Sequence, residues 1–358
     1  MMRRQMMEKI YQTIAGIQPL DEKAMAEARM RQDNLTKPRG SLGQLESVSI
    51  QAAGIKRNSR PQIFDKAIFT LAGDHGVTQE GVSAYPSEVT SQMVYNFLRG
   101  GAGINVLARL VGARIAVADL GVVSKMERDQ NLVDKKVAFG TQNMAEGPAM
   151  SREQAIRSIE AGMELVEEEL PKGMDILGTG DMGIGNTTPS SAITAAITGA
   201  DVSAVTGRGT GLSEEEQRRK VKVIEKILGI NRPNPKDAID VLSKVGGFEI
   251  GGIAGVILAG ARNGIPVVID GFISGAAALI ATSLSLQVKP YLIASHQSAE
   301  IGHKTILNYL GLKALLNLDL RLGEGTGAAL GMFLVEAGVR ILNEMSTFVE
   351  AGVSEKIG

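Results

Sequence analysis

Short runs of β-branched and apolar residues recur along this chain. Each closes on glycine or a polar turn, and most lead into a segment with helical patterning. The runs are Ala67–Leu71, Ala113–Ala118, Asp175–Leu177, Val202–Val205, Pro266–Ile269, Leu292–Ala294 and Leu318–Leu322. Continuous apolar strands suit a sheet covered on both faces, and strand–helix alternation favours parallel pairing. The chain therefore reads as α/β, with a parallel sheet between helical layers. The stretches Ile250–Ala261 and Phe272–Leu284 are broken by Gly, Ala and Ser. They fall short of the roughly 18–20 residues that cross a bilayer, so they read as buried helices.

The ends have a different character. A Met- and Ala-rich helical pattern runs from Asp21 to Arg31, followed by the turn-prone Lys37-Pro38-Arg39-Gly40-Ser41. The tail after Thr326 is again helical, with Leu330, Phe333, Leu334 and Val339 as its apolar side. This suggests a large α/β unit over 62–327 and a small helical domain built from 1–61 and 328–358. Ser151 with Gln154 and Ser213 with Glu216 have capping-box spacing. The second opens a helix over Glu214–Leu228 that Gly229 is placed to cap.

With 38 Lys+Arg against 39 Asp+Glu, the net charge of −1 supplies no basic face for nucleic acid or an anionic membrane. The absence of Cys removes disulfide scaffolds, thiolate nucleophiles and thiolate metal sites. It is compatible with a cytoplasmic location, as is a start whose charges Glu8 and Lys9 interrupt any signal-peptide pattern. Small metabolites remain as the class of partner. Gly, at 43 of 358 residues, is well above the average of about 7%, which points to close backbone approach.

Ligands of open parallel sheets bind at the carboxyl ends of the strands. Five junctions stand out there: Gly73-Asp74-His75-Gly76, Gly178 through Thr188, Gly207-Arg208-Gly209-Thr210-Gly211, Asp270-Gly271 and Gly323-Glu324-Gly325-Thr326-Gly327. The second contains G-x-G-x-x-G at Gly178, Gly180 and Gly183. A dinucleotide reading needs an acid at the end of the next strand, and Asp201 precedes that strand instead. A phosphate cradle using Asn186, Thr187 and Thr188 fits better, and a tight packing turn is the alternative. Glu324 between two glycines repels phosphate but suits a general base; a helix-dipole carboxylate is the alternative. Asp74-His75 reads equally well as an acid–base pair or a structural turn. His296, Glu300 and His303, spaced i, i+4, i+7, would share a helix face and invite a metal reading, with a polar interface as the alternative.

Several long motifs then fall in one order over nearly the whole chain. They are Lys37-Pro38-Arg39-Gly40-Ser41-Leu42-Gly43, Gly73-Asp74-His75-Gly76-Val77, Gly81-Val82-Ser83-Ala84-Tyr85-Pro86, Gly183-Ile184-Gly185-Asn186-Thr187-Thr188, Ser295-His296-Gln297-Ser298 and Arg321-Leu322-Gly323-Glu324-Gly325-Thr326-Gly327. In these the sequence resembles the nicotinate-nucleotide:dimethylbenzimidazole phosphoribosyltransferases of cobalamin lower-ligand synthesis. The resemblance implies a Rossmann-like three-layer α/β fold with helices on both faces, a small helical domain from the termini, and a homodimer. It implies transfer of phosphoribose from nicotinate mononucleotide to 5,6-dimethylbenzimidazole with inversion, and no cofactor or metal.

Carried over residue by residue, the resemblance makes Glu324 the general base, with Ser83, Tyr85, Gln92 and Leu322 around the acceptor. The donor and its phosphate fall to Asp181, Gly183, Gly185, Asn186, Thr187, Thr188, Gly207, Arg208 and Lys220. Asp181 stands where the family pattern leads one to expect Glu, one methylene longer, and Lys220 by itself reads as an exposed helix charge. Competing readings are the same donor with another acceptor, a nucleotide-binding regulator without turnover, and a nicotinamide-dependent dehydrogenase.

Overall fold

The computed structural model describes residues 7–209, 211 and 213–354. Its sheet has the order β3-β2-β1-β4-β5-β6. The strands are β1 Lys66–Gly73, β2 Ala113–Gly121, β3 Leu132–Asp134, β4 Ile176–Met182, β5 Val267–Ile269 and β6 Leu292–Ala294, and every pairing is parallel. All of β1 is buried. Because successive side chains point to opposite faces, Ala67, Phe69 and Leu71 pack into one apolar cluster while Ile68 and Ala72 pack into the other. Three layers follow directly from that double burial.

One face is covered by the helices Arg152–Glu169, Phe248–Arg262 and Phe272–Leu284. Apart from Arg262, the second of these is buried along its whole length, and so is most of the third. Neither is long and apolar enough to span a membrane, nor is any other helix among the described residues. The opposite face is covered by Gly103–Val111 and Thr326–Glu344. The N-terminal helix Gln44–Lys56 packs on Thr326–Glu344, and the helix Glu22–Asn34 packs on Gln44–Lys56. Arg31 Nε donates to Leu342 O at 2.7 Å, which ties the two ends of the chain together.

Both capping boxes form as expected, at Ser151 and Ser213. Five details depart from the sequence reading. Val202–Val205 is a single helical turn among the outer helices, because the sheet positions beside β4 are already taken by β1 and β5. Leu318–Leu322 is not a strand either. It belongs to a segment that follows the loop after β6, with Gln297 N and Ala299 N donating to Leu316 O and Leu320 O, but no ladder develops. The short, partly exposed β3 carried too little pattern to be foreseen. Gly229 lies inside a helix that continues to Asn231 and closes on a left-handed Arg232. The helix Thr326–Glu344 buries Ala328, Ala329, Met332, Val335 and Val339, leaving Phe333 56% exposed. Ala328 and Met332 lie against Gly178 of β4, and Gly331 lies against Val268 of β5.

Candidate active site

Four of the five glycine-bearing junctions converge on a cavity of about 480 Å³ at the carboxyl ends of β4, β5 and β6. Tyr85, Asp181, Gly183, Asn186, Thr187 and Leu322 line it. Its volume is in the ordinary range for a small-molecule site. Other expected site residues lie outside that lining. Lys220 bonds to Thr187 of the lining, and the Glu324 carboxylate lies with Leu322 near Gly103. Gly185 and Thr188 form the turn and first residues of the helix Thr187–Thr198, whose Ser190 N–H and hydroxyl both bond back to Asn186 O. Gln92 and Arg208 are exposed, and Arg208 pairs with Glu214 at 3.2 Å. Ser83 Oγ accepts from Tyr85 N at 3.2 Å, which shapes the loop beside the cavity.

Glu324 is 4% exposed and has φ +61°, between Gly323 at +80° and Gly325 at +99°. Three successive left-handed residues need external restraint. Thr70 Oγ1 donates to Glu324 O at 2.8 Å, Glu324 N donates to Asp181 O at 3.2 Å, and Gly325 N donates to Asp270 Oδ2 at 3.1 Å. The backbone of Glu324 lies so close on Gly180 that a Cβ there would collide with Glu324 C and O. The G-x-G-x-x-G pattern is thereby explained as close packing. Gly178 admits Met332 and Ala328, Gly180 admits the Glu324 loop, and Gly183 meets Gly73 O. The Glu324 carboxylate reaches the start of the helix Gly103–Val111, where Oε2 accepts from Ile104 N at 3.0 Å. Burial raises its pKa above the usual glutamate value, and the Ile104 bond only partly opposes this.

Its neighbours are also acids out of water. Burial, then the charge of Asp270, pushes Asp181 well above the ordinary carboxylate range, although Asn186 Nδ2 donates to its Oδ2 at 2.9 Å. Burial lifts Asp270 to about 7 against the N–H groups of Ala328 and Gly325.

The other end of the cavity is cationic. Lys220 is buried rather than exposed, and its Nζ donates to Thr187 Oγ1 at 2.6 Å. Burial lowers its pKa to about 8, with Glu300 opposing the fall. Thr187 opens the helix Thr187–Thr198, whose N-terminal N–H groups and dipole favour an anion. Arg321 Nη1 donates to Gly209 O at 3.1 Å and adds a second cation. Sequence reasoning singled out Glu300 only in a metal reading with His296 and His303, and did not single out Arg321 as a cation of the site. Arg321 opens the last of the long motifs, whereas Glu300 lies two residues beyond Ser295-His296-Gln297-Ser298.

His296, Glu300 and His303 do not share a helix face. His296 lies in the loop after β6, Glu300 is the residue before the helix Ile301–Leu310, and only His303 is helical. Among the described residues, no group of three such side chains is placed to hold a metal ion. Asp74 and His75 form a structural turn. Asp74 Oδ2 accepts from Val123 N at 2.8 Å, and His75 Nε2 lies 2.8 Å from Glu249 Oε1. Burial disfavours the imidazolium, but Glu249 and Asp74 together raise the His75 pKa above its ordinary value.

The family model described as phosphoribosyltransferase, DBI_PRT, matches residues 17–353. The chain belongs to this phosphoribosyltransferase family. A nicotinate-nucleotide–dimethylbenzimidazole phosphoribosyltransferase of Desulforudis audaxviator is 58% identical over 98% of this chain and 99% of its own length. One of the same name from Geobacter sulfurreducens is 56% identical over 98% and 99%. The crystal structure of CobT from Thermus thermophilus superposes with a TM-score of 0.90 at 46% identity, covering 93% of this chain and 100% of that one. The parallel α/β fold described above is therefore shared with that structure.

Proposed function

We propose that this phosphoribosyltransferase moves the 5-phosphoribosyl group of nicotinate mononucleotide to 5,6-dimethylbenzimidazole. The products are α-ribazole 5′-phosphate and nicotinate, with inversion at the anomeric carbon, in cobalamin lower-ligand synthesis. The observation that carries the chemistry is Glu324, a buried carboxylate at the strand ends, beside Leu322, without a cationic partner among the described residues. Removed from water, it takes up a proton more readily than a solvated glutamate does.

The acceptor's N–H proton passes to Glu324, and the electron pair released into the ring makes the other nitrogen the nucleophile. That nitrogen forms a bond to C1′ as the bond from C1′ to the pyridinium nitrogen breaks, and the pyridinium takes the electron pair as neutral pyridine. Its positive charge makes it a good leaving group. Tyr85, Leu322, Ser83 and Gln92 surround the acceptor in this proposal. Thr187, Lys220 and the Gly183–Thr188 turn hold the phosphate, with Gly207 and Arg208 beside it and Asp181 on the donor. The relatives' names, the anionic-ligand helix terminus and the isolated carboxylate all support the reading.

We also propose a cytoplasmic homodimer, supported by exposed Val106, Leu110 and Phe333 on two adjoining helices. Sedimentation equilibrium at twice the chain mass is the expected result. For the reaction, incubation with nicotinate mononucleotide and 5,6-dimethylbenzimidazole should yield nicotinate and α-ribazole phosphate in equal amounts by chromatography. Nicotinate without the riboside, or neither product from folded, donor-binding protein, would refute the transfer to this acceptor.

A further inference from the structure

His296 has no part in the mechanism above, yet it lines the cavity while being only 2% exposed. Its ring occupies a slot beside the helix that follows Glu324. A Cβ on Gly327 would collide with its Nδ1 and Cε1, and one on Gly271 would lie 3.4 Å from Cε1.

The position of its proton follows from its neighbours. Ser295 Oγ donates to Ile269 O at 2.7 Å, so its one hydrogen is committed. The 3.1 Å contact between that Oγ and His296 Nδ1 therefore has the imidazole as donor. Asp270 Oδ1, 3.9 Å from the same nitrogen, favours a proton there as well. Burial holds the pKa of His296 down to about 4, which keeps the ring neutral near pH 7. Nε2 thus keeps its lone pair. It has no hydrogen-bond partner among the described residues, and it is not one of the polar atoms sealed from solvent.

The segment carrying His296 spans the site. His296 packs on Gly327, three residues beyond Glu324, whereas Glu300 lies against Gly207 and faces Lys220. A donor with its phosphate at Lys220 and its anomeric carbon toward Glu324 lays its sugar along this segment. Among the other side-chain acceptors there, Glu300 faces Lys220 and keeps Oε2 without a hydrogen-bond partner, and the rest each already hold a bond. Asp181 takes the amide of Asn186, Asp270 takes the N–H groups of Gly325 and Ala328, and Ser298 Oγ takes the N–H of Glu300.

We propose that Nε2 of His296 accepts a hydrogen bond from a ribose hydroxyl of the phosphoribosyl donor, which makes His296 a residue that distinguishes ribose from deoxyribose. This rests on the function proposed above. The test compares nicotinate mononucleotide with its 2′-deoxy and 3′-deoxy analogues in the wild type and in His296→Ala. Wild-type kcat/KM should fall on the order of 10- to 100-fold for the analogue that lacks the bonded hydroxyl. His296→Ala should lose a similar factor on the ribose donor and show no further loss on that analogue, with the KM for dimethylbenzimidazole unchanged. Equal losses on all three donors, or no loss, would overturn the assignment.

Nitrogen-15 NMR of the wild type, which contains three histidines, provides a second arm that is independent of folding in the variant. His303 Nδ1 accepts from Ser298 N and His75 turns Nε2 to Glu249, so the neutral histidine with its proton on Nδ1 is His296, and it should shift at Nε2 when nicotinate mononucleotide is added. A proton on Nε2, or no shift with saturating donor, would overturn the contact. Donor that binds and shifts Nε2 without being turned over would refute the transferase reading and leave the contact standing.

Discussion

The two ends of the cavity bury charge in opposite ways. At one end Glu324, Asp181 and Asp270 lie together, and the groups that bond to them are neutral amides. At the other, Lys220 is buried beside Glu300, whose own pKa burial raises and Lys220 pulls back. Carboxylates without a counter-ion acquire proton affinity. A lysine with a counter-ion keeps its charge although it is desolvated. The same loss of water thus prepares one end to take a proton and the other to hold an anion.

Glu324→Gln attacks the first end most directly. It should lower kcat on the order of 10²–10⁴-fold with little change in thermal unfolding, because it removes a positioned base and keeps its shape; rates near wild type would assign the base elsewhere. Lys220→Met attacks the second end. It should raise the KM for nicotinate mononucleotide on the order of 10- to 100-fold and move kcat much less, as steady-state kinetics would show; an unchanged KM would take the phosphate away from Lys220. Gly180→Ala tests what holds the first end in place. The new methyl would force the Glu324 backbone off β4, and overpacking of this kind typically costs about 1–3 kcal/mol. Both Tm and kcat should fall, and a stable, fully active variant would show that the loop tolerates the shift.

The smallest effects are in the pH profiles. A base needs its deprotonated form, so kcat should be lost as pH falls through the raised pKa of Glu324, at a pH above the 4.5 of an unperturbed glutamate. A cation needs its protonated form, so kcat/KM for the donor should decline as pH rises through about 8, where Lys220 deprotonates. The second limb should vanish in Lys220→Met, and the first in Glu324→Gln.

The α/β class and the long buried helices were legible because their signals are local: apolar runs for the strands, a Ser with Gln or Glu three residues on for the helix starts. Leu318–Leu322 misled because an apolar run shows extended chain but not whether a neighbouring strand is free to pair with it. The tail helix misled for a related reason. Of the apolar side expected, Val339 is buried but Phe333 is exposed, because the face that meets the strands is made by Ala328, Gly331 and Met332. At the site, Glu324 was legible from its glycines. The burial of Lys220 and the counter-charge of Glu300 were not, since they depend on a contact across 80 residues of chain. His296 was visible as a residue, but its orientation follows from Ser295 and Gly327, which no spacing rule connects.

The clasp between the chain's two ends bears on the order in which the site can form. Arg31 holds the end of the helix that begins at Thr326, and the helix Gln44–Lys56 lies along it. Thr326 comes two residues after Glu324, and β1, which supplies Thr70, was made more than 250 residues earlier. A growing chain can therefore pair β1, β2 and β4 and fold most of its sheet while the Glu324 carboxylate is still unrestrained. The Glu324 loop is fixed only when the last long helix reaches residues synthesised far earlier, so its assembly depends on contacts of long sequence separation.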